Sequence, residues 1–388
     1  MTNQILPGLL SDNCIKGGPT YSSITSRDAI YDGLDSCLAG KLYRRKYYDF
    51  LLHYPAQLKE LENALSARTY FPKPCREFTI FCKSGQKTRL ISEPDCIDNV
   101  LHHTLYLHLY NVFDSTFIHD SYGCRKRKGT LRASLRCQQF MRQAPPNSYY
   151  LQLDLRKFYY SLDHTVLRQA FCHTIKDQEV VDLLMKLVNT TSQNGKGLNV
   201  GAMLSQLFGL IYLNRLDHYI KRVLKVKRYI RYVDDMVLIG LTREECHWLR
   251  DHLQTWIRDH LKLEFSKAII QPISHGVNFV GYHTWPHRRK VRSHCLKMFG
   301  RALKKRNIKS LQSSLAHARG TCSQRLMLQR IAATLTYSQL GQFGGHFKHD
   351  LLKLKAGYSR QTGRHQGLPV QPARTCTKEQ GQEQGKRP

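Results

Sequence analysis

The chain has 388 residues, with 60 Lys and Arg against 29 Asp and Glu, a formal net charge of +31. That length holds two or three cores, and the cationic excess calls for a polyanionic partner, most simply nucleic acid, ahead of a basic membrane-surface role. No apolar run reaches the length of a bilayer span and no charged-then-apolar leader opens the sequence, so a membrane or secreted protein is set aside and a cytoplasmic one is expected.

Residues 1 to about 25 hold Gly17-Gly18-Pro19 and little apolar periodicity, and are expected to form a loosely ordered lead-in. From Asp28 to Leu65 apolar residues recur at helical spacing: Ile30, Leu34, Leu38, Phe50, Leu51, Leu58, Leu61 and Leu65. Between them lies Lys41-Leu42-Tyr43-Arg44-Arg45-Lys46-Tyr47-Tyr48. Cations interleaved with aromatics suit a nucleic-acid backbone with stacking bases, and equally an ordinary solvated helix face. At Phe71 to Ser92 the period changes. Phe78, Ile80 and Cys82 alternate, Ser84-Gly85 turns, and Lys87-Thr88-Arg89-Leu90-Ile91 returns as a strand bearing cations. Pro94 precedes a helical stretch from Ile97 to Phe113, on which His102, His103 and His108 read as helix-surface or packing residues ahead of metal ligands. Arg125-Lys126-Arg127-Lys128 follows, a phosphate-binding candidate or a solvated charge run.

Pro145-Pro146-Asn147 breaks the chain before Leu151-Gln152-Leu153-Asp154, a strand ending on an acid. Asp163 is expected to cap a helix carrying Val166, Leu167 and Phe171. Gly195 to Gly201 is a glycine-bearing loop that lets backbone approach a ligand. It leads into a helix predicted from Ser205, as N-cap, to Leu224, and Lys221 to Arg231 is basic. Arg228 to Val233 alternates, Met236 to Ile239 is apolar and β-prone, and Gly240 closes the run: a hairpin whose turn presents Asp234 and Asp235. Two aspartates suit a turn for conformational reasons alone. Asp154, at a strand end beside that hairpin, changes the reading. Convergent carboxylates on one sheet edge can hold two divalent cations about 4 Å apart, the arrangement of in-line phosphoryl transfer, and carboxylate with water suits Mg²⁺. Glu244 to Leu263 reads as an amphipathic helix. From Arg288 on, cations precede helical patterns through Leu340, and from about Arg360 the chain is rich in Gln, Gly, Pro and Lys and expected to be disordered. The twelve cysteines are scattered with no Cys-x-x-Cys pair, so a zinc ribbon is not expected and packed or free thiols are.

The Asp154 segment, the Tyr232-Val233-Asp234-Asp235 box and the stretch Gly197 to Gln206 between them resemble reverse transcriptases. Most of that family carry Gln-Gly-x-x-x-Ser-Pro in the intervening stretch, where this chain has Val200 for the Gln and Gln206 for the Pro. That pair, with Asp120 to Thr130, resembles the reverse transcriptases of diversity-generating retroelements, and the resemblance covers roughly Phe71 to Trp285.

The resemblance implies an α+β fold: a right hand of fingers, palm and thumb, with an antiparallel palm sheet and a helical thumb. Its expected parts are an N-terminal helical extension (1–70), fingers (71–150), palm (151–285, with part of the fingers between 165 and 200), thumb (286–358) and a disordered tail (359–388). It implies that Asp154, Asp234 and Asp235, with the Leu155 carbonyl, hold two Mg²⁺, with Mn²⁺ as a substitute. Lys87, Arg89, Arg125 and Lys267 would face the triphosphate. Tyr159 would be the gate against a ribose 2′-hydroxyl, with Phe158 and Tyr160 as alternatives. Val200 and Gln206 would lie against the templating base and incoming nucleotide. Lys126, Arg127 and Lys128 would meet the template, Gly281 and Tyr282 would belong to a primer-grip hairpin, and Arg288 and Arg289 would open a thumb that clasps the template–primer. Implied partners are template RNA, primer or cDNA, deoxynucleotide triphosphates and a small basic accessory protein of the Avd type, in the cytoplasm of a bacterium or archaeon or encoded by a phage. Retron, group II-like and defence-associated enzymes are the rivals in kind. An inactive basic RNA-binding scaffold is the rival of another class, and the three retained acids argue against it, since converging carboxylates repel without a metal.

Overall fold

The computed structural model describes residues 18–82, 87–190 and 194–362. The chain divides into two compact units, Met1–His294 and Cys295–Pro388.

The first unit opens with helices α1 (Tyr21–Ile24), α2 (Arg27–Leu38), α3 (Arg45–Leu51) and α4 (Tyr54–Ser66). Ser26 caps α2 by accepting from the Ala29 N–H at 3.3 Å. The buried face of α2 (Ile30, Gly33, Leu34, Cys37) packs on α5 (Cys96–Asp114), and a side chain at Gly33 would overlap Thr104. Strands β1 (Arg76–Cys82) and β2 (Lys87–Glu93) pair antiparallel as the alternation predicts; the predicted turn at Ser84-Gly85 lies outside the described residues. Phe78, Ile80, Phe81 and Leu90 stay exposed because two strands form no second layer to cover them.

The central sheet has the order β4-β5-β3-β6 and every neighbour is antiparallel. Its strands are β3 (Tyr149–Leu155), β4 (Tyr229–Tyr232), β5 (Asp235–Leu241) and β6 (Phe265–Pro272). Alternation sends Leu151, Leu153, Met236 and Leu238 into the main core, and Tyr150, Ile230, Val237 and Ile239 into a second core against α6 (Thr130–Arg142). Short α7 (Phe158–Ser161) follows β3; α8 (His164–Thr174), capped by Asp163, and α9 (Gln178–Asn189) come next. The helix predicted from Ser205 begins instead at Met203, with Ala202 as an N-cap that makes no side-chain bond. This α10 (Met203–His218) is buried nearly all round, Ser205 included, so packing rather than capping sets its start. It continues as a π-turn, Tyr219–Val223. α11 (Arg243–Leu261) closes the layer over β3 and β6.

A three-stranded sheet of β7 (Val277–Phe279), β8 (Tyr282–Thr284) and β9 (Arg289–Val291) ends this unit. Here the structure departs from the expected thumb start at residue 286: Arg289 pairs with Thr284 in β9, so the strand belongs to the first unit. The second unit is helical: α12 (Ser293–Lys304) leads into it, followed by α13 (Ile308–Ala318), α14 (Cys322–Thr334), α15 (Tyr337–Gly341) and α16 (Gly345–Thr362). Phe299, Leu311, Leu315, Ile331, Leu335 and Leu340 are among its buried side chains. α16 runs through 359–362, which the composition had assigned to a tail; residues 363–388 lie outside the described set, as do 1–17 of the lead-in.

Candidate active site

β3 ends and β5 begins at the same edge of the sheet, and their register pairs Asp154 with Asp235. The β4–β5 hairpin closes at Tyr232↔Asp235, leaving Val233 and Asp234 as its turn. Val233 stands at φ 56°, left-handed backbone that costs a β-branched residue of order 1–3 kcal/mol. Three features hold it there. Arg231 Nη1 donates to the Val233 carbonyl at 2.9 Å. Arg231 itself is 0% exposed and donates through Nε to Asp217 of α10 at 2.7 Å, while the Tyr229 hydroxyl donates to the same carboxylate at 2.7 Å. Residues 120–122 run alongside β4, exchanging the bonds Arg231 N to Asp120 O (3.0 Å) and Tyr122 N to Arg231 O (2.9 Å). Gly123 then passes beneath the turn, so close that a Cβ there would stand 2.7 Å from the Val233 nitrogen.

Electrostatics mark the edge. Burial raises the Asp234 pKa, and the Asp154 charge adds to it; Arg89 of β2 and Arg231 oppose the rise. Burial pushes Asp235 up to about 7; Gln152 works against it, while the Asp154 and Asp234 charges add to it. Gln152 Nε2 donates to Asp235 Oδ1 and to the Asn278 carbonyl, each at 2.9 Å, tying the acid to β7. Ser266 Oγ lies 3.0 Å from Asp154 Oδ2 and 3.1 Å from its carbonyl. Three desolvated or mutually repelling acids with so few donors form a place for a cation. Among the described residues no group of three His, Cys, Asp or Glu side chains closes on a metal by itself. Mg²⁺ characteristically takes one or two carboxylates and completes its shell with water and substrate phosphate, so the residues fit that ion. The Leu155 carbonyl follows Asp154 at the bend where β3 and β6 shift register.

Tyr159 is half-buried, with burial the first cause raising its pKa and Asp234 among its charged neighbours. It rests on Gly209 of α10, where a Cβ would stand 3.3 Å from the Tyr159 ring and 3.1 Å from Phe158. Phe158 is core, and Tyr160 donates to the Leu90 carbonyl at 3.2 Å, so among the three aromatics Tyr159 is the one beside the acids. The Val200 carbonyl accepts from Ser92 N at 3.0 Å, joining the glycine loop to β2, and Gln206 is exposed on the first turn of α10. Lys267, exposed, is the register partner of Asp154. The Lys87 side chain lies outside the described set.

Four expected contacts are redirected. Arg125 is not available to a triphosphate: its guanidinium donates to the Asp114 carboxylate at 2.6 Å and to the Ile118 and Ser121 carbonyls, and its side chain is 7% exposed. Lys128 donates to the His119 carbonyl at 2.8 Å. The basic run thus builds its own loop with two of its cations, while Lys126 and Arg127 are exposed. Tyr282 and Arg289 are buried, with the guanidinium 5.6 Å over the ring and 3.3 Å from Ser134 Oγ; they pack β8 and β9 rather than reach outward. Gly281 makes the β7–β8 turn at φ 91°, and Arg288 is exposed over Trp285. Arg231, Asp217, Gly123 and Gln152 went unnoticed in the sequence. A lone acid on a helix that is buried nearly all round, and an Arg inside a strand, were the available signals.

Residues 81–284 match the family described as reverse transcriptase (RNA-dependent DNA polymerase). The chain is similar to the group II intron-encoded protein LtrA of Lactococcus lactis subsp. cremoris, 22% identical over 64% of this chain and 52% of that protein. It is also similar to the putative COX1/OXI3 intron 2 protein of Saccharomyces cerevisiae, 23% identical over 42% of this chain and 20% of that one. It spans about half the length of the first of these. In fold it resembles telomerase from Candida albicans, solved with the TWJ fragment of telomeric RNA: TM-score 0.50 at 11% identity, over 81% of this chain and 66% of that one.

Proposed function

The chain belongs to the reverse transcriptase family, and from that premise we propose that it is an RNA-directed DNA polymerase that makes error-prone cDNA in a diversity-generating retroelement. The observation that carries the polymerase reading is the convergence of Asp154, Asp234 and Asp235 at one sheet edge, with Arg89 of the β1–β2 hairpin in electrostatic reach of Asp234. Bound Mg²⁺ would supply a lowered pKa at the primer 3′-hydroxyl and charge stabilisation at the leaving pyrophosphate. Asp154 and Asp234 would hold it with the Leu155 carbonyl, and Asp235 would be the less direct ligand. Arg89 would meet the triphosphate, which a guanidinium can bind in bidentate fashion, and Tyr159 would exclude the 2′-hydroxyl. Partners on this reading are template RNA, primer, deoxynucleotide triphosphates and a small basic Avd-type protein, in the cytoplasm; among the described residues no helix is long and apolar enough to cross a membrane.

The retroelement class rests on Val200 and Gln206. An apolar side chain and a flexible amide stand where the family has a donor–acceptor and a rigid ring. A pocket with one fewer fixed contact discriminates less: ~1–3 kcal/mol per contact is about 10- to 200-fold. On this reading the errors fall at template adenine, an expectation carried by the resemblance alone. The test is sequencing cDNA made on a defined RNA template. Misincorporation concentrated opposite adenine, and reduced by Val200→Gln with Gln206→Pro, supports the class. Equal errors at all four bases would remove the chain from the diversity-generating class while leaving it a reverse transcriptase. Extension by Asp234→Asn at the parent rate with Mg²⁺ would remove the polymerase assignment.

A further inference from the structure

On α11, Trp248, His252, Trp256 and His260 recur every four residues, so they line one stripe along the helix. The first three join a pile of rings. Trp248 stacks on His252 (centroids 4.7 Å, planes 11° apart). Tyr219, from the π-turn after α10, meets His252 edge to edge with the rings near-parallel (6.0 Å, 17°) and stacks on Trp256 (4.5 Å, 14°). A 2.6 Å hydrogen bond between the Tyr219 hydroxyl and His252 Nε2 locks the two central rings. At the inner end Trp256 is buried and Arg215 lies 5.8 Å over it; at the outer end Trp248 is 57% exposed.

Helix-to-helix packing explains Trp256 and Tyr219. It does not explain a near-parallel pile carried outward to an exposed indole, because an isolated exposed aromatic gains nothing from being held flat. Glu244, Glu245 and Asp251 lie one turn from Trp248 on α11, and the cations that point to the occupant lie on the chain that follows Tyr219. The π-turn that supplies Tyr219 opens the run Lys221-Arg222-Val223-Leu224-Lys225-Val226-Lys227-Arg228, which holds no acid; Lys221 donates to the Lys227 carbonyl at 2.7 Å and Arg228 to the Gln143 carbonyl at 2.8 Å, while Arg222, Lys225 and Lys227 are exposed. Aromatic platforms beside a cationic track are how single-stranded nucleic acid is held without sequence readout. We propose that Trp248 stacks a base of single-stranded RNA, extending the pile by one ring, with the Lys221–Arg228 run following the backbone. This rests on RNA being the chain's partner, and it adds a docking surface that the carboxylate edge does not include.

The full chain is cross-linked by ultraviolet light to a 5-bromouridine-substituted single-stranded RNA, and the adduct is mapped. An adduct on the peptide bearing Trp248 is expected. Trp248→Ala is expected to raise the dissociation constant for that RNA about tenfold, equivalent to about 1.4 kcal/mol. Trp248→Phe, which keeps a ring, should recover most of it. Because stacking is not ionic, the ratio between Ala variant and parent should persist at high salt while both weaken. Primer extension at saturating primer–template should be unchanged in both variants, which separates failure here from failure of the polymerase reading. The proposal is overturned if no adduct forms on α11 and Trp248→Ala binds RNA as the parent does. It is equally overturned if an accessory protein, and not RNA, shields Trp248.

Discussion

Asp217→Asn is the sharpest perturbation the site offers. Arg231 is wholly buried and Asp217 is its charge partner. An Asn still accepts a hydrogen bond but leaves the guanidinium uncompensated, and breaking a buried pair in this way costs about 3–5 kcal/mol. Domains are stable by only ~5–15 kcal/mol, so the urea midpoint should fall steeply. Loss of activity in that variant would be ambiguous. The informative variant removes the whole network: Asp217→Leu, Arg231→Met and Tyr229→Phe together. Replacing a buried ion pair by apolar groups of similar volume is often neutral in stability, and changing Tyr229 as well avoids orphaning its hydroxyl, a cost of ~1–3 kcal/mol. The triple variant should therefore recover most of the stability that Asp217→Asn loses. Activity should not recover, because the Val233 carbonyl has lost the donor that stood 2.9 Å away. A displacement of about 1 Å at a reacting centre costs roughly 10²-fold, so extension should stay about that far below the parent. The assays are urea denaturation and single-turnover primer extension on RNA. A triple variant that is folded and extends at the parent rate would refute the argument that Arg231 positions the turn.

Gly123→Ala should lower extension by about 10²-fold with circular dichroism unchanged, since the added Cβ meets Val233 Cγ2 first and also stands 2.7 Å from the Val233 backbone nitrogen, which no rotamer change of Val233 relieves; single-turnover rates check it. Tyr159→Ala should raise ribonucleotide incorporation relative to deoxynucleotide, measured as a ratio on one template; an unchanged ratio with intact folding moves the gate to Phe158. Burial lowers His102 to about 4, and burial with the Lys41 charge lowers His103 to about 4. Their folded values lie below the unfolded one, so both stabilise the fold in neutral form. That stability is present above pH ~6.5 and lost as pH falls from ~6.5 towards 4, on the order of a few kcal/mol in all. His102→Leu should show a shallower decline in urea midpoint over that window than the parent.

The acids, the hairpin that presents two of them, the strand that presents the third and the Asp163 cap were all legible in the sequence. Each is a local pattern: an alternation of period two, a turn residue or a capping side chain within a few positions of the backbone it serves. The helical composition after residue 290 was legible for the same reason. What the sequence left open are choices between partners far apart in the chain. Arg125 and Arg289 looked like surface cations until folding put them against Asp114 and Tyr282. The resemblance set Arg89 towards a triphosphate, but its relation to the acids is a tertiary matter: the β1–β2 hairpin brings it into the field of Asp234. Whether an Arg faces solvent or a carboxylate depends on which strand edge it lands on, and charge alone does not encode that. The same holds for Val233, whose left-handed backbone no local rule favours; Asp217 from α10 and Gly123 from a separate loop hold it, and only their meeting in three dimensions makes the turn.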